Sequence, residues 1–221
     1  MARRRRFGAR TERGAVVVEA ALVTPLLMAL LLGIIEMALL MKDDVALTST
    51  VRNGGRTASA NLDQGPGGVN EGGDCVTPCS PANAPMFAQL AANAIQTSGT
   101  ALPKDSIQEL WVYKANAKGY PCTLTTGCES NNSTAMTCGA NCVKYKWNAT
   151  KDQFRYSTGT WDWQSVNACA GNNPDLVGIY MKAKHSWVSG FFGDSVDIED
   201  HAVFSFEPLP TLTCAPNQHV S

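Results

Sequence analysis

The longest apolar stretch of the chain is AVVVEAALVTPLLMALLLGIIEMALLM, residues 15–41, whose only charged residues are Glu19 and Glu36. As a helix, at about 1.5 Å per residue, it extends about 40 Å, which is enough to cross the hydrocarbon core of a bilayer. The apolar core of a cleaved signal peptide is much shorter, about 7–15 residues. The pattern therefore predicts a transmembrane helix, which Pro25 bends locally because it removes a backbone donor.

The helical period continues beyond this stretch. Leu40, Leu47, Val51 and Ala58 fall on one face of a helix. The spacing predicts that residues 42–60 continue the transmembrane helix, partly in contact with water. The pair Gly54-Gly55 either ends this helix or only weakens it.

A change of composition follows at residues 61–85, which are dense in Gly, Pro, Asn and Ser and therefore indicate a linker. After it, residues 86–97 place apolar side chains at helical spacing, which predicts a short amphipathic helix packed on a core.

Strand patterns occupy the rest of the chain. Enrichment in β-formers and alternation of apolar and polar residues predict strands around residues 107–115, 144–149, 154–156, 177–183 and 196–207. In the last strand Asp200 interrupts the apolar parity, which predicts a bulge. The expected fold class is α+β: a long N-terminal transmembrane helix continuing into an exported antiparallel-sheet domain, residues 86–221, with disulfide-rich loops.

The charge distribution indicates the orientation in the membrane. The net charge is −1, but residues 1–14 carry six arginines and one glutamate, a local charge of +5, so the remainder is acidic. A basic leader before an apolar helix is typical of a chain whose N-terminus stays in the cytoplasm and whose remainder is exported. Nucleic-acid binding is disfavoured, because an apolar helix follows the arginines at once.

Eight cysteines, an even number, all follow the apolar stretch, and in an exported segment this favours up to four disulfides. Zinc is the alternative for the two Cys-x3-Cys spacings, but the exported compartment and the lack of a nearby histidine favour disulfides. The pairing stays open. Residues 122–142 contain four of the cysteines and are predicted to be an inserted loop, either an adhesive or subunit-contact surface or a decoration without a ligand. The candidates are Cys75, Cys79, Cys122, Cys128, Cys138, Cys142, Cys169 and Cys214.

Two aromatic segments have two interpretations each. Trp187, Val188, Phe191 and Phe192 stand among glycines and either cover one end of the core or contact the membrane or a neighbouring subunit. The segment Trp161-Asp162-Trp163 indicates either a sugar-stacking platform or a sheet-packing pair of tryptophans.

No catalytic site is evident in the sequence. The three histidines form no His-x3-His pair, and neither a Gly-x-Ser-x-Gly motif nor a phosphate-binding glycine loop occurs. Because no base and nucleophile can be nominated, we expect a protein that is not an enzyme and that needs no cofactor or metal.

Glu19 is the unusual residue of the apolar stretch. An ionised carboxylate facing lipid would cost about 2.5–3.5 kcal/mol on insertion scales, less near the interface. Glu19 either lies close to the cytoplasmic headgroups or has a positively charged partner. Cleavage between Gly14 and Ala15 would create an α-amino group that the Glu19 of a neighbouring subunit could neutralise.

Residues 13–19, RGAVVVE, resemble the processing site of type IV prepilins, in which a peptidase cuts after glycine and a glutamate is fifth in the mature chain. Residues 13–36 resemble more closely the TadE-like minor pilins and pseudopilins of the tight-adherence (Flp, type IVb) pilus, which carry a proline like Pro25 and a second acid like Glu36. Residues 201–208 resemble the ending of that family. Ala20 departs from the aromatic residue that many relatives have after the glutamate.

The resemblance implies a structural or assembly component of a pilus, cut by prepilin peptidase between Gly14 and Ala15, with Glu19, Pro25 and Glu36 as assembly residues. Its partners would be other pilin subunits and inner-membrane pilus assembly proteins, with a host or surface ligand as a further possibility. The protein would cross the cytoplasmic membrane once, with the N-terminus inside. The alternative is an uncleaved, membrane-anchored extracellular binding or adhesion domain.

Overall fold

A computed structural model describes residues 11–65, 84–97, 102–124, 127–169 and 174–209. Its first element is a single helix, α1, Thr11–Ala60. The helix continues through Gly54-Gly55. Leu47, Val51 and Ala58 of the predicted stripe are fully buried, and Leu40 is half-buried. The expectation of one long N-terminal helix is confirmed.

The sheet has five strands in the order β3-β2-β1-β4-β5, and every neighbouring pair is antiparallel. The fold class is therefore α+β, as predicted. The predicted strands all form. They are β1 Ile107–Ala115, β2 Cys142–Asn148, β3 Gln153–Thr160, β4 Leu176–Ser186 and β5 Ser195–Ser205. The bounds of β1 are those predicted, β3 and β4 extend further at both ends, and β2 and β5 each begin and end earlier than the sequence pattern indicated.

One face of the sheet packs against α1 and against α2, Met86–Thr97, which forms over the residues predicted for it. Phe87 of α2 meets Trp161 edge-to-face, with ring centroids 5.0 Å apart. The two adjacent glycines allow α1 to approach its neighbours closely. A Cβ atom on Gly54 would lie 2.6 Å from Ile95 of α2, and one on Gly55 would lie 2.3 Å from the ring of Phe204 in β5.

The opposite face of the sheet carries a smaller cluster built on Trp111, Tyr113 and Tyr180. Met136 and Cys138 pack on it from the segment between β1 and β2. The predicted insertion at residues 122–142 thus connects two strands and contacts the sheet.

Two disulfides close this segment, Cys122–Cys128 and Cys138–Cys142. The prediction of disulfides is confirmed for these four residues, and Cys169 is also disulfide-bonded. Because Cys138 and Cys142 bind each other, they are not a zinc-ligand pair. The remaining candidates, Cys75, Cys79 and Cys214, lie outside the described residues.

The prediction of a bulge at Asp200 is wrong. The register of β4 and β5 is continuous, with Asp200 opposite Met181. Asp200 is only half-buried and accepts the N–H of His201 at 2.8 Å, so its carboxylate is satisfied without leaving the ladder. The register shifts occur instead in β1, between Ile107 and Glu109, and between Lys144 and Tyr145 of β2.

Candidate functional site

The site residues expected from the sequence are distributed along α1. Gly14, Ala15, Glu19 and Pro25 are exposed on the helix, whereas Glu36 is buried. At about 1.5 Å per residue, Glu19 and Glu36 are separated by about 26 Å along the helix axis. The structure therefore presents two separate acidic positions on one helix.

The first part of α1 is an uncovered apolar surface. Within the described part of the chain, α1 is the one helix long and apolar enough to cross a membrane, and no residue of its most apolar part is buried. Exposed apolar surface of this extent indicates contact with a membrane or a partner. The helix thus suggests membrane anchoring.

Glu36 has partners within the chain. Its side chain is 1% exposed, and its carboxylate accepts the backbone N–H of Val188 at 3.2 Å and that of Ser189. A buried carboxylate is tolerated where hydrogen-bond donors compensate for lost water, and two backbone amides do so here. Glu36 therefore joins the end of the apolar surface to the loop between β4 and β5.

That loop, residues 187–194, is called the β4–β5 tip below. Gly190 and Gly193 have φ of 73° and 97°, the left-handed region that glycine adopts without strain. Val188, Phe191 and Phe192 are 78%, 71% and 56% exposed. The interpretation that the segment covers the core is wrong for these three residues, because the tip extends beyond the paired strands and exposes them. Trp187 differs: it is half-buried, and its ring packs edge-on against that of the buried His185, with centroids 4.9 Å apart.

A second contact joins α1 to the same hairpin. Nδ1 of His185 in β4 lies 2.7 Å from Oδ2 of Asp43, and the histidine is 4% exposed. Since a carboxylate accepts, Nδ1 carries the proton. Sequence reasoning missed this pair, because its members are 142 positions apart and belong to no local motif.

The segment Trp161-Asp162-Trp163 does not present two exposed aromatic rings, which a sugar-stacking platform would need. Trp161 is fully buried in the core, and Asp162 accepts the N–H of Gln164 at 3.0 Å. The interpretation of Trp161 as a packing residue is therefore confirmed. In the described ranges, no group of three or more His, Cys, Asp and Glu residues could hold a metal ion.

Comparison with known proteins gives one match. The family described as TadE-like protein matches residues 14–56 of the chain. The matched segment contains Glu19, Pro25 and Glu36 and ends beside the close contacts of Gly54 and Gly55, while the sheet domain lies outside it. No curated protein and no solved structure matches the chain.

Proposed function

We propose that the chain is a TadE-like minor pilin or pseudopilin, a structural or assembly component of a tight-adherence (Flp, type IVb) pilus. The observation that carries this proposal is the match of residues 14–56 to the TadE-like family, which suggests a pilus component with a structural rather than a catalytic role. The uncovered apolar surface of α1 supports it, because a helix that must pack among other helices in a membrane or a fibre needs such a surface.

In this proposal the arginines of residues 1–14 stay in the cytoplasm and the sheet domain is exported. Prepilin peptidase cuts between Gly14 and Ala15, which leaves a positively charged α-amino group at the start of the apolar helix. Disulfides in the sheet domain are consistent with export, since such bonds persist in oxidising compartments.

Glu19 provides the assembly contact. It is exposed on α1 and makes no hydrogen bond or ion pair in the described part of the chain. Facing lipid, an ionised carboxylate would cost about 2.5–3.5 kcal/mol. Pairing with the new N-terminus of a neighbouring pilin subunit would remove this cost and set the register between helices. In this proposal the inner-membrane assembly proteins add subunits whose helices are paired in this way.

The N-terminus of the mature protein tests the processing step. Mass spectrometry of protein purified from the native host is expected to find Ala15 as the first residue. Gly14→Val should block the cut, because the peptidase cuts after glycine. Gly33→Val is the matched control: Gly33 lies on the same helix, with nothing within 4 Å of an added Cβ atom. It should leave processing intact.

The contrary result is an intact end at Met1 or Ala2 together with normal piliation after deletion of the gene. That result would support an uncleaved anchored domain that binds an extracellular ligand and never polymerises.

The assembly step is tested by Glu19→Gln. This variant should still insert and be cut, but its incorporation into pili should fall, because a neutral amide does not neutralise the neighbour's amino group. Immunoblots of sheared pili and of membranes measure the two properties separately. Unchanged incorporation would refute the role given to Glu19.

A further inference from the structure

We infer that the β4–β5 tip inserts into the outer surface of the lipid bilayer and forms a second membrane contact beside α1. The inference rests on the proposed anchoring of α1 in the membrane. It concerns Val188, Phe191 and Phe192, which are largely exposed although the ring of Phe192 also contacts that of Trp187, with centroids 5.3 Å apart.

The direction of the hairpin places the tip at the membrane end of the domain. Along β4, His185 contacts Asp43 of α1, and Val188 then contacts Glu36, which lies nearer the apolar end of α1. Just after the return strand β5, the N–H of Glu207 donates to the carbonyl of Ser59 at 3.0 Å. The hairpin therefore descends along α1, turns at the level of Glu36 and ascends again.

The depth follows from the length of the helix. Residues 15–33 extend about 28 Å at 1.5 Å per residue, close to the roughly 30 Å of a hydrocarbon core. Glu36 then lies within about 5 Å of its outer boundary. The tip is at the same level, where apolar side chains reach the acyl chains and the backbone remains in the headgroup region.

The polar groups of the tip suit this depth. A backbone N–H without a partner is costly near lipid, but those of Val188 and Ser189 donate to Glu36. The N–H of Phe191 donates to the hydroxyl of Ser189 at 3.2 Å. Glu36 thus satisfies backbone donors at the boundary, and the tip presents two phenylalanines and a valine outward, residues typical of an interfacial apolar face.

Continuity of the exposed apolar surface favours lipid over a second copy of the chain. The uncovered side chains of α1 immediately before Glu36 include Ile34 and Ile35, 66% and 54% exposed. The tip extends this surface sideways at the level where α1 leaves the hydrocarbon. One bilayer covers both without any further partner.

The test uses the full chain reconstituted in vesicles of phosphatidylethanolamine and phosphatidylglycerol, with or without bromine on the acyl chains. Phe191→Trp adds a fluorophore at the tip. Leu124→Trp is the matched control, because Leu124 is also exposed, at 50%, but lies far from the tip. It follows Cys122, whose N–H donates to the carbonyl of Lys114, whereas the other end of β1, at Ile107, pairs with β4 close to the tip. Leu27→Trp reports on α1 itself. Near-UV circular dichroism checks that each variant keeps the wild-type fold.

We expect the emission added by Phe191→Trp to be mostly lost in brominated vesicles at every protein-to-lipid ratio, while the emission added by Leu124→Trp is retained. Leu27→Trp should also be quenched. If Leu27→Trp is quenched and Phe191→Trp is not, the tip does not reach lipid and the inference is overturned, although α1 remains anchored.

Two other outcomes would also overturn the inference. If Leu27→Trp is not quenched, the helix does not enter the bilayer, and the proposed anchoring fails together with the tip contact. If Phe191→Trp is shielded from acrylamide only at high protein-to-lipid ratio and is not quenched by bromine, a second copy of the chain covers the tip instead.

Discussion

The carboxylate of Glu36 accepts the backbone N–H of Val188 at 3.2 Å, although the two residues are 152 positions apart in the chain. This contact joins the last part of the apolar stretch to the β4–β5 tip, the turn of the hairpin that packs on α1. It also distinguishes the two acids of the stretch: Glu36 is satisfied within the chain, whereas Glu19 makes no bond in the residues that the structure describes. Two carboxylates on one helix thus have different roles, one in folding and the other, as proposed, in assembly.

The first prediction concerns this contact. Glu36→Ala leaves two backbone donors without an acceptor, and an unsatisfied buried group costs about 1–3 kcal/mol. We expect the Val188 and Ser189 amides of the detergent-solubilised protein to exchange with deuterium about 5-fold to 100-fold faster, since 1.4 kcal/mol corresponds to a factor of ten. Glu36→Gln, which keeps one acceptor, should have a smaller effect.

Glu19→Ala is the control for that measurement, because it removes a carboxylate from the same helix without removing a bond within the chain. Exchange at residues 188 and 189 should not change. Equal exchange in Glu36→Ala and in the wild type would show that the carboxylate does not hold the tip.

The two glycines of α1 give a second prediction. Alanine is about 0.8–1 kcal/mol better than glycine in a helix, but overpacking costs about 1–3 kcal/mol. At Gly55 the added methyl group would meet the ring of Phe204 at 2.3 Å, and at Gly33 it would meet nothing within 4 Å. Gly55→Ala should therefore lower the thermal midpoint of the sheet domain, and Gly33→Ala should not. Equal midpoints would mean that Phe204 moves aside without cost.

Local patterns were sufficient to predict the elements but not their contacts. The limits of α2 and of β1 follow from helical spacing and from β-forming residues, which depend on neighbours in the chain. Asp43 and His185 lie in different elements, and nothing near either residue in the sequence specifies the other. The tip was ambiguous for a related reason: apolar residues between glycines have no period, so only the packed structure shows which side they face.

A third prediction tests a buried ion pair that the sequence did not reveal. Nζ of Lys114 lies 2.6 Å from Oδ2 of Asp175, with side chains 11% and 4% exposed, and Asp175 also accepts the N–H of Asn167 at 2.7 Å. Removing one partner of a buried pair leaves an uncompensated charge, which costs about 3–5 kcal/mol. Asp175→Asn should destabilise the sheet domain by this amount in urea unfolding. A loss of unfolding free energy below about 1 kcal/mol, the scale of exposed pairs, would show that water solvates the Lys114 ammonium group in the variant.

The exposed pair of Lys182 and Asp197 gives a fourth prediction, on pH. Oδ2 of Asp197 lies 2.9 Å from Nζ of Lys182, and this hydrogen bond lowers the pKa of Asp197 from its usual value of 3.8. A lowered folded-state pKa stabilises the protein above the unfolded value, and the contribution is lost as the pH falls through the folded value. Asp197→Asn should therefore weaken the domain slightly at pH 7, and its difference from the wild type should shrink as the pH falls below 3.8. A difference that does not change with pH would exclude the ion pair as its cause.

The last prediction concerns the disulfides of the segment between β1 and β2. Cys122 and Cys128 are six residues apart, and in the chain-entropy account a loop of this length stabilises a protein by about 2 kcal/mol. The double variant Cys122→Ser, Cys128→Ser should lower the stability of the sheet domain by about that amount. Dithiothreitol should destabilise the wild type further, because it also opens Cys138–Cys142. A chelator such as EDTA should leave the thermal midpoint unchanged. A midpoint that falls with EDTA and not with dithiothreitol would indicate that these cysteines bind a metal ion and do not form disulfides.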